Sequence, residues 1–123
     1  MTTTRRAGPG ACPPKPPLHQ RPLITPDQAA ALTGVFKILA NDTRLRLIHA
    51  LARASELCVT DLAETVGMTP QAVSNQLQRL VDRGILGPRR NGNQIYYRIV
   101  DPCVTSLLDQ GLCLTEDSKE RKP

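Results

Sequence analysis

Apolar residues recur at helical spacing over much of the chain between residues 26 and 114. Thr25 suits the N-cap of a first helix, with Pro26 in its first turn. Asn41 and Asp42 break this pattern and start a second helix. The apolar positions of the two helices are Ala29, Leu32, Val35, Phe36 and Leu39, then Leu45, Ile48, Leu51 and Ala52. This spacing predicts two amphipathic helices.

Two further helical segments are separated by a glycine. Thr60 is the predicted N-cap of the first, and Gly67 is its predicted C-terminal stop. Thr69 caps the next helix, which is predicted to end at Gly84. Two helices joined by so short a turn indicate a helix-turn-helix.

The second of these helices has one apolar face and an otherwise polar surface. Val73, Leu77 and Leu80 share the apolar face. The rest of the surface carries Gln71, Ser74, Asn75, Gln78 and Arg79. Such side chains suit base edges and phosphates.

A basic hairpin is predicted directly after this helix. Its strands cover residues 85–89 and 94–99, and its tip is Asn91, Gly92 and Asn93, with Arg89 and Arg90 just before. A recognition helix beside a basic hairpin predicts a winged helix-turn-helix, mainly α with a small β-hairpin. The expected partner is double-stranded DNA.

A last helix is predicted to begin after Asp101, its N-cap. Its apolar positions are Val104, Leu107, Leu108, Leu112 and Leu114. This stripe requires a partner surface, which is either its own domain or a dimer interface shared with the first helix. Because the core of one such domain is small, the dimer is the favoured interpretation.

Composition divides the chain into three regions: a flexible, proline-rich basic arm (1–25), one winged helix-turn-helix and dimerisation domain (26–115), and a polar tail (116–123). The prolines of the arm exclude a helix or a sheet interior there. Lys and Arg outnumber Asp and Glu by 16 to 11. Residues 69–100 carry five arginines against one acid, Asp82, which favours a polyanionic partner.

Several function classes are disfavoured. Aromatic residues are too scarce for single-strand binding by stacking, and no apolar stretch approaches the roughly 20 residues of a membrane span. The chain has no paired carboxylates, Ser/His/Asp set or phosphate loop in a plausible context. An enzyme or a protein with a small organic substrate is therefore disfavoured. The absence of a signal peptide predicts a cytoplasmic protein, in which cysteines are thiols or metal ligands rather than structural disulfides.

Four segments resemble the ArsR/SmtB family of metal-responsive winged-helix repressors. Residues 36–48 resemble its LADPTRLRIL segment, and residues 56–63 its ELCVCDLA metal motif. Residues 72–80 resemble its recognition helix, and residues 89–98 its wing. The resemblance implies a homodimer that binds a palindromic operator, represses transcription and releases DNA when a metal ion binds.

The DNA contacts are assigned on this basis. Base-edge or adjacent contacts are expected from Gln71, Ser74, Asn75 and Gln76, and phosphate or minor-groove contacts from Arg79, Arg89, Arg90 and Asn93. Family members often have His where this chain has Gln76, so their base preference does not carry over. The two tyrosines, Tyr96 and Tyr97, are expected to pack within the wing, one of them facing the core.

Four cysteines are the candidate metal ligands: Cys12, Cys58, Cys103 and Cys113. Cys58 stands at the family's metal position, but Thr60 replaces the second cysteine of that motif. Cys58 would then need ligands from elsewhere, such as Cys12 in the arm. Cys103 and Cys113 lie about 15 Å apart along one helix, so they could share an ion only across a dimer of antiparallel final helices.

Thiolate ligands favour soft ions. Hg(II) is the favoured effector, because two or three thiolates suffice for it and mercury-responsive repressors of this family from actinobacteria are similar. As(III), Cd(II) and Pb(II) follow. Two alternatives remain open: a repressor released by thiol oxidation, and a constitutive repressor without a metal effector.

Overall fold

The computed structural model describes residues 14–117. The secondary structure of these residues, in chain order, is α1 (Pro26–Leu39), α2 (Asp42–Ala54), β1 (Leu57–Cys58), α3 (Val59–Val66), α4 (Pro70–Asp82), β2 (Leu86–Asn91), β3 (Gln94–Ile99) and α5 (Pro102–Asp117). The architecture is mainly helical with one small antiparallel sheet, as the sequence predicts. The sheet has three strands in the order β1-β3-β2, one more than the predicted hairpin.

Side-chain caps fix the starts of four helices at the predicted residues, and one of them is Asp101, whose Oδ1 accepts from the Cys103 N–H at the start of α5. Thr25 Oγ1 accepts a hydrogen bond from the Gln28 backbone N–H at 3.1 Å, and Gln28 Oε1 accepts one from the Thr25 N–H at 2.9 Å. Asn41 Oδ1 accepts from the N–H of Arg44, and Thr69 Oγ1 from that of Ala72. Each cap contributes about 1 kcal/mol, because it pairs an N–H that the helix leaves without a partner.

The predicted cap of α3 is wrong. Helix α3 begins at Val59, and Cys58 rather than Thr60 occupies the N-cap position, without a side-chain capping bond. The reason is strand β1, in which Leu57 pairs with Tyr97 and Cys58 with Tyr96. This pairing holds the chain extended up to Cys58, so the helix starts immediately afterwards. The pairing is non-local, and the local pattern did not reveal it.

The hairpin is longer and its turn tighter than predicted. Strand β2 begins at Leu86 and continues to Asn91, which pairs with Gln94. Only Gly92 and Asn93 remain in the turn. Gly92 has a φ of 67°, which is the left-handed region that two-residue hairpin turns require and that glycine adopts at no steric cost.

Helix α2 lies at the centre of the core. Its buried face consists of Leu47, Ile48, Ala50 and Leu51, whereas Leu45 is half-buried and Ala52 is exposed. The face is therefore rotated relative to the predicted one. The largest fully buried side chains are Leu47, Ile48, Leu51, Leu62, Val73, Leu77 and Leu80. Helix α2 contacts α3, α4, α5 and β3, so the recognition helix and the last helix share one support.

The ends of the described region differ from the predictions. Residues 14–25 are exposed, and a single 3-10 turn at Leu18–Gln20 interrupts the part of the arm for which no helix was expected. Helix α5 continues to Asp117, two residues beyond the predicted end of the domain. Among residues 14–117, no helix combines the length and apolar character that crossing a bilayer demands.

The close packing at the base of the hairpin yields a stability prediction. A Cβ added at Gly87 would lie 2.8 Å from Val100 Cγ1, closer than carbon atoms approach without displacement. Gly87→Ala is therefore expected to lower the free energy of unfolding by about 1–3 kcal/mol. Urea unfolding at fixed protein concentration measures this loss. The double variant Gly87→Ala/Val100→Ala should recover most of it, and a double variant as unstable as the single one would contradict the steric explanation.

Candidate nucleic-acid interface and cysteine sites

The helix-turn-helix is formed by α3 and α4 as predicted. Gly67 ends α3 in the left-handed conformation with a φ of 72°, and the Met68 N–H donates to the Ala63 carbonyl at 3.0 Å. Helix α4 then buries Val73, Leu77 and Leu80 completely. This burial anchors α4 along one face, and its opposite face remains open to solvent.

The open face of α4 carries a row of amides. Gln71 Nε2 donates to Asn75 Oδ1 at 3.2 Å, and Gln78 Nε2 donates to Asp82 Oδ1 at 2.8 Å. All four of these side chains are exposed, as is Arg79, whereas Ser74 is half-buried. The row provides donors and acceptors of the kind that read base edges in the major groove.

Gln76 occupies a different place from the other predicted contact residues. Its side chain is half-buried, and Oε1 accepts a 2.8 Å hydrogen bond from Arg44 Nε of helix α2. Arg44 Nη1 also donates to the Ile38 carbonyl in the last turn of α1, at 2.9 Å. Sequence reasoning missed Arg44, because it lies 32 residues from Gln76 and no local pattern connects the two.

The arginines of the wing are not equivalent. Arg89 forms two hydrogen bonds with the Glu56 carboxylate, at 2.9 and 2.8 Å, and its guanidinium lies 5.2 Å from the centre of the Tyr96 ring. Hydrogen bonding and charge from Arg89 hold the pKa of Glu56 below its ordinary value. Arg90 and Asn93 are exposed near the turn. The predicted DNA contact of Arg89 therefore competes with an existing partner, whereas Arg90 has no ion pair among the described residues.

One of the two tyrosines faces the core and the other lies on the surface of the wing, as the sequence predicted. Tyr97 is buried in the core, and burial raises the pKa of its hydroxyl. Tyr96 is half-buried on the opposite face of β3 and supports Arg89. Tyr96 thus belongs to the wing surface and Tyr97 to the interior.

The cysteines occupy separate elements. Cys58 is a free thiol with 5% of its surface exposed, at the junction of β1 and α3. Cys103 is half-buried in the first turn of α5, where its N–H donates to Asp101 Oδ1 at 3.0 Å. Contrary to the expectation that the cysteines are thiols or metal ligands, the sulfur of Cys103 is disulfide-bonded, so its use as a thiolate ligand requires reduction. Cys113 is an exposed free thiol on α5, and Cys12 lies outside the described residues.

No cluster of three or more potential ligands (His, Cys, Asp or Glu) occurs within residues 14–117 of one chain. Cys103 and Cys113 are ten residues apart on one helix, which separates them by about 15 Å. A site with several thiolates from α5 therefore requires more than one protomer.

An apolar groove of about 530 Å³ runs between α1, α2 and α5. Its lining includes Phe36, Leu39, Leu45, Ile48, Val104, Leu107, Leu108, Leu112 and Leu114. Phe36 is 49% exposed and Leu114 66% exposed. Exposed apolar area of this kind marks an interaction surface, and it combines the two helices for which the sequence predicted a dimer interface.

Comparison with known proteins agrees with this geometry. Residues 41–86 match the family model described as bacterial regulatory protein, arsR family. The match covers the segment from the cap of α2 to the start of β2, which contains both helices of the helix-turn-helix.

The similarity also extends to individual proteins. The arsenic resistance transcriptional regulator ArsR1 of Pseudomonas putida is 40% identical over 81 residues, which span 66% of this chain and 59% of that protein. The antimony-specific transcriptional repressor AntR is 62% identical, with a TM-score of 0.77, over 90% of this chain and all of that one. The homodimeric winged helix-turn-helix domain Mb0332 of Mycobacterium bovis is 31% identical, with a TM-score of 0.64, over 79% of this chain and 92% of that one.

The exposed face of α4 yields a prediction about specificity. The double variant Ser74→Ala/Asn75→Ala should lose discrimination between operator and unrelated duplex, because each base-edge contact supplies about 1–3 kcal/mol of it. Arg90→Ala should instead weaken binding to all duplexes and lower the salt slope by about one. Fluorescence anisotropy over a salt series measures both quantities. Operator affinity unchanged in both variants would overturn the assignment.

The ion pair of the wing yields a second prediction. Glu56→Gln should free the Arg89 charge, so that affinity for any duplex rises and the salt slope steepens by about one released counterion. Because the pKa of Glu56 is lowered in the folded protein, the pair persists at neutral pH and is lost only as pH falls through that lowered value.

Glu64→Gln is the matched control for this prediction. It removes the same charge from the surface of α3, where Glu64 is exposed and has no ion pair within the described residues. Equal effects of the two variants would show that net charge, and not the release of Arg89, changes the affinity.

Proposed function

Because the chain belongs to the ArsR family of bacterial transcriptional regulators, we propose that it is an operator-binding repressor released by a thiophilic ion. The family and its solved members are DNA-binding regulators and not enzymes. The expected form is a homodimer on double-stranded operator DNA. Release of the operator would activate the transcription of a metal-resistance operon.

One observation carries the choice of effector: the 62% identity with an antimony-specific repressor over its whole chain. The similarity to an arsenic regulator points to the same group of elements. Sb(III) therefore stands first and As(III) second. Hg(II), favoured by the sequence, follows with Cd(II) and Pb(II), because all of these ions prefer sulfur ligands.

The donors available in this chain fit such an ion. Cys113 is an exposed free thiol on α5, next to Leu112 and Leu114 of the apolar groove. If the groove is the dimer interface, the thiols of α5 from two protomers approach one another there. Cys113 with reduced Cys103 is the preferred ligand set. Cys58 and Cys12 form the alternative, in which the buried thiol of Cys58 requires local opening.

When bound, the ion would supply a link between thiolates. The effect on DNA binding would then depend on the packing of the helices. Helix α5 packs against α2, and α2 packs against α4. A change in the packing of α5 therefore alters the support of the recognition helix and the distance between the two recognition helices of a dimer. Antagonism between ion and operator needs a coupling of about 1–3 kcal/mol, which changes affinity about 5- to 150-fold.

A second function is favoured by a specific observation. The sulfur of Cys103 is disulfide-bonded, and a disulfide on α5 could act on the operator without any metal. The chain would then be a repressor released by thiol oxidation. A constitutive repressor is the remaining alternative, and it predicts that neither ions nor oxidants affect binding.

Operator binding by reduced protein, titrated with Sb(III), As(III), Hg(II), Cd(II), Pb(II) and Zn(II), tests the proposal. The DNA is the region upstream of the protein's own gene, and fluorescence anisotropy is the readout. Sb(III) should lower the affinity of the wild type at about one equivalent per protomer, by a factor within the range of allosteric couplings.

The cysteine variants locate the ligands. Cys113→Ser and Cys103→Ser should bind operator as the wild type does but should no longer respond to Sb(III). Cys58→Ala should respond fully if the site is on α5, and should lose the response if the alternative set is correct. Peroxide without metal, reversed by dithiothreitol, tests the redox function. A full metal response in every single cysteine variant would contradict sensing by thiolates.

A further inference from the structure

Arg44 makes two hydrogen bonds that join three helices. Its Nε donates to Gln76 Oε1 of α4 at 2.8 Å, and its Nη1 donates to the Ile38 carbonyl of α1 at 2.9 Å. The backbone N–H of the same residue is held by Asn41 Oδ1 at 3.0 Å. Arg44 as a whole is half-buried. Arg44 is therefore held in place from several directions before DNA arrives.

These contacts define which end of the Gln76 amide faces Arg44. A guanidinium has only donors, so the amide oxygen, and not the nitrogen, must face it. Among residues 14–117, Gln76 Nε2 has no acceptor within hydrogen-bonding distance. The amide thus has its oxygen occupied and its NH₂ group available to donate.

The position of Gln76 makes this orientation relevant to DNA. Gln76 lies on α4 between Asn75 of the open face and Leu77 of the core. The start of α2 lies beside the helix-turn-helix turn, since Thr43 Oγ1 contacts Met68 Sδ at 3.6 Å. Arg44 and Gln76 therefore border the surface that meets the operator.

We infer that Arg44 orients Gln76 to read a hydrogen-bond acceptor of the operator, and that Arg44 is the positioning residue for this contact. A glutamine that reads adenine uses its oxygen and its nitrogen together, on N6 and N7. Arg44 already donates to the oxygen, so we expect the NH₂ group, rather than the oxygen, to make the contact with DNA. The remaining NH₂ matches N7 or O6 of guanine, N7 of adenine, O4 of thymine or a phosphate oxygen. This inference rests on operator binding but not on the identity of the effector.

The first arm of the test compares the wild type with Gln76→Glu. The variant is isosteric and keeps an acceptor for Arg44, but it cannot donate. Operator affinity should fall about 5- to 150-fold, as for the loss of one good base contact, while the midpoint of thermal unfolding is unchanged or higher. An affinity equal to that of the wild type would overturn the inference.

The second arm locates the acceptor. Operator duplexes carry 7-deazapurine or 4-thiothymine in place of one base at a time, or a methylphosphonate in place of one phosphate. One substitution should weaken the wild type and leave Gln76→Glu unaffected. A base analogue at that position identifies a base edge, and a methylphosphonate identifies the backbone. Equal losses in both proteins at every position would contradict a donor contact by Gln76.

An adenine control tests the predicted orientation. Replacing each adenine with purine removes only the N6 amino group. If this change weakened the wild type and not Gln76→Glu, the amide oxygen would be reading DNA, and the inference that the NH₂ group makes the contact would be wrong.

The third arm separates positioning from stability. Arg46 is a matched residue on the same helix, since its Nη1 donates to the Val66 carbonyl at the end of α3, at 3.1 Å, but it makes no hydrogen bond to a side chain of α4 among the described residues. Arg44→Met and Arg46→Met should both lower stability. Only Arg44→Met should lose the difference in affinity between the unmodified operator and the operator that is modified at the position Gln76 reads. The same response profile in both variants, or a wild type that binds no operator, would overturn the inference.

Discussion

The burial of one face of α2 is the constraint on which the other elements depend. Leu47, Ile48 and Leu51 are almost completely excluded from solvent, and burying a side chain of this size stabilises a fold by about 1.5–3 kcal/mol. Helices α3, α4 and α5 and strand β3 all pack against α2. The recognition helix is thus held by the same residues that hold the last helix. A displacement on one side of α2 cannot be absorbed without some response on the other, because packed cores have little free volume.

The polar edge of α2 complements this apolar contact. Arg44 and Arg46 donate to main-chain carbonyls near the ends of α1 and α3, where helices leave carbonyls without partners and where positive charge is favourable. The two arginines are two residues apart, so they point to different sides of the helix. One turn of α2 therefore aligns the helix that lines the apolar groove and the helix that precedes the recognition helix. Directed hydrogen bonds thus act beside hydrophobic burial in orienting these helices.

The features that the sequence predicted correctly are local ones. Thr25, Asn41 and Thr69 cap helices because each bonds an N–H three residues ahead, and the three buried positions of α4 follow from helical spacing. Two of the errors involve partners distant in sequence. Strand β1 exists through pairing with β3, about 40 residues away, and this pairing moved the start of α3. The DNA contact predicted for Arg89 does not take account of Glu56, because this partner lies 33 residues away.

The location of the cysteines separates two ways in which an effector could act on DNA binding. Cys58 pairs with Tyr96 in the sheet, and the Tyr96 ring contacts Arg89 of the wing. An effector at Cys58 would therefore act on the wing, and its effect would appear in the salt dependence of binding to any duplex. Cys113 lies on α5, which acts through α2 on the recognition helix. An effector there would change the distance between recognition helices, and so the preference for one spacing of half-sites. A change in salt dependence on release of DNA would therefore identify Cys58 as the thiol that the effector binds, and a change in half-site preference would identify Cys113.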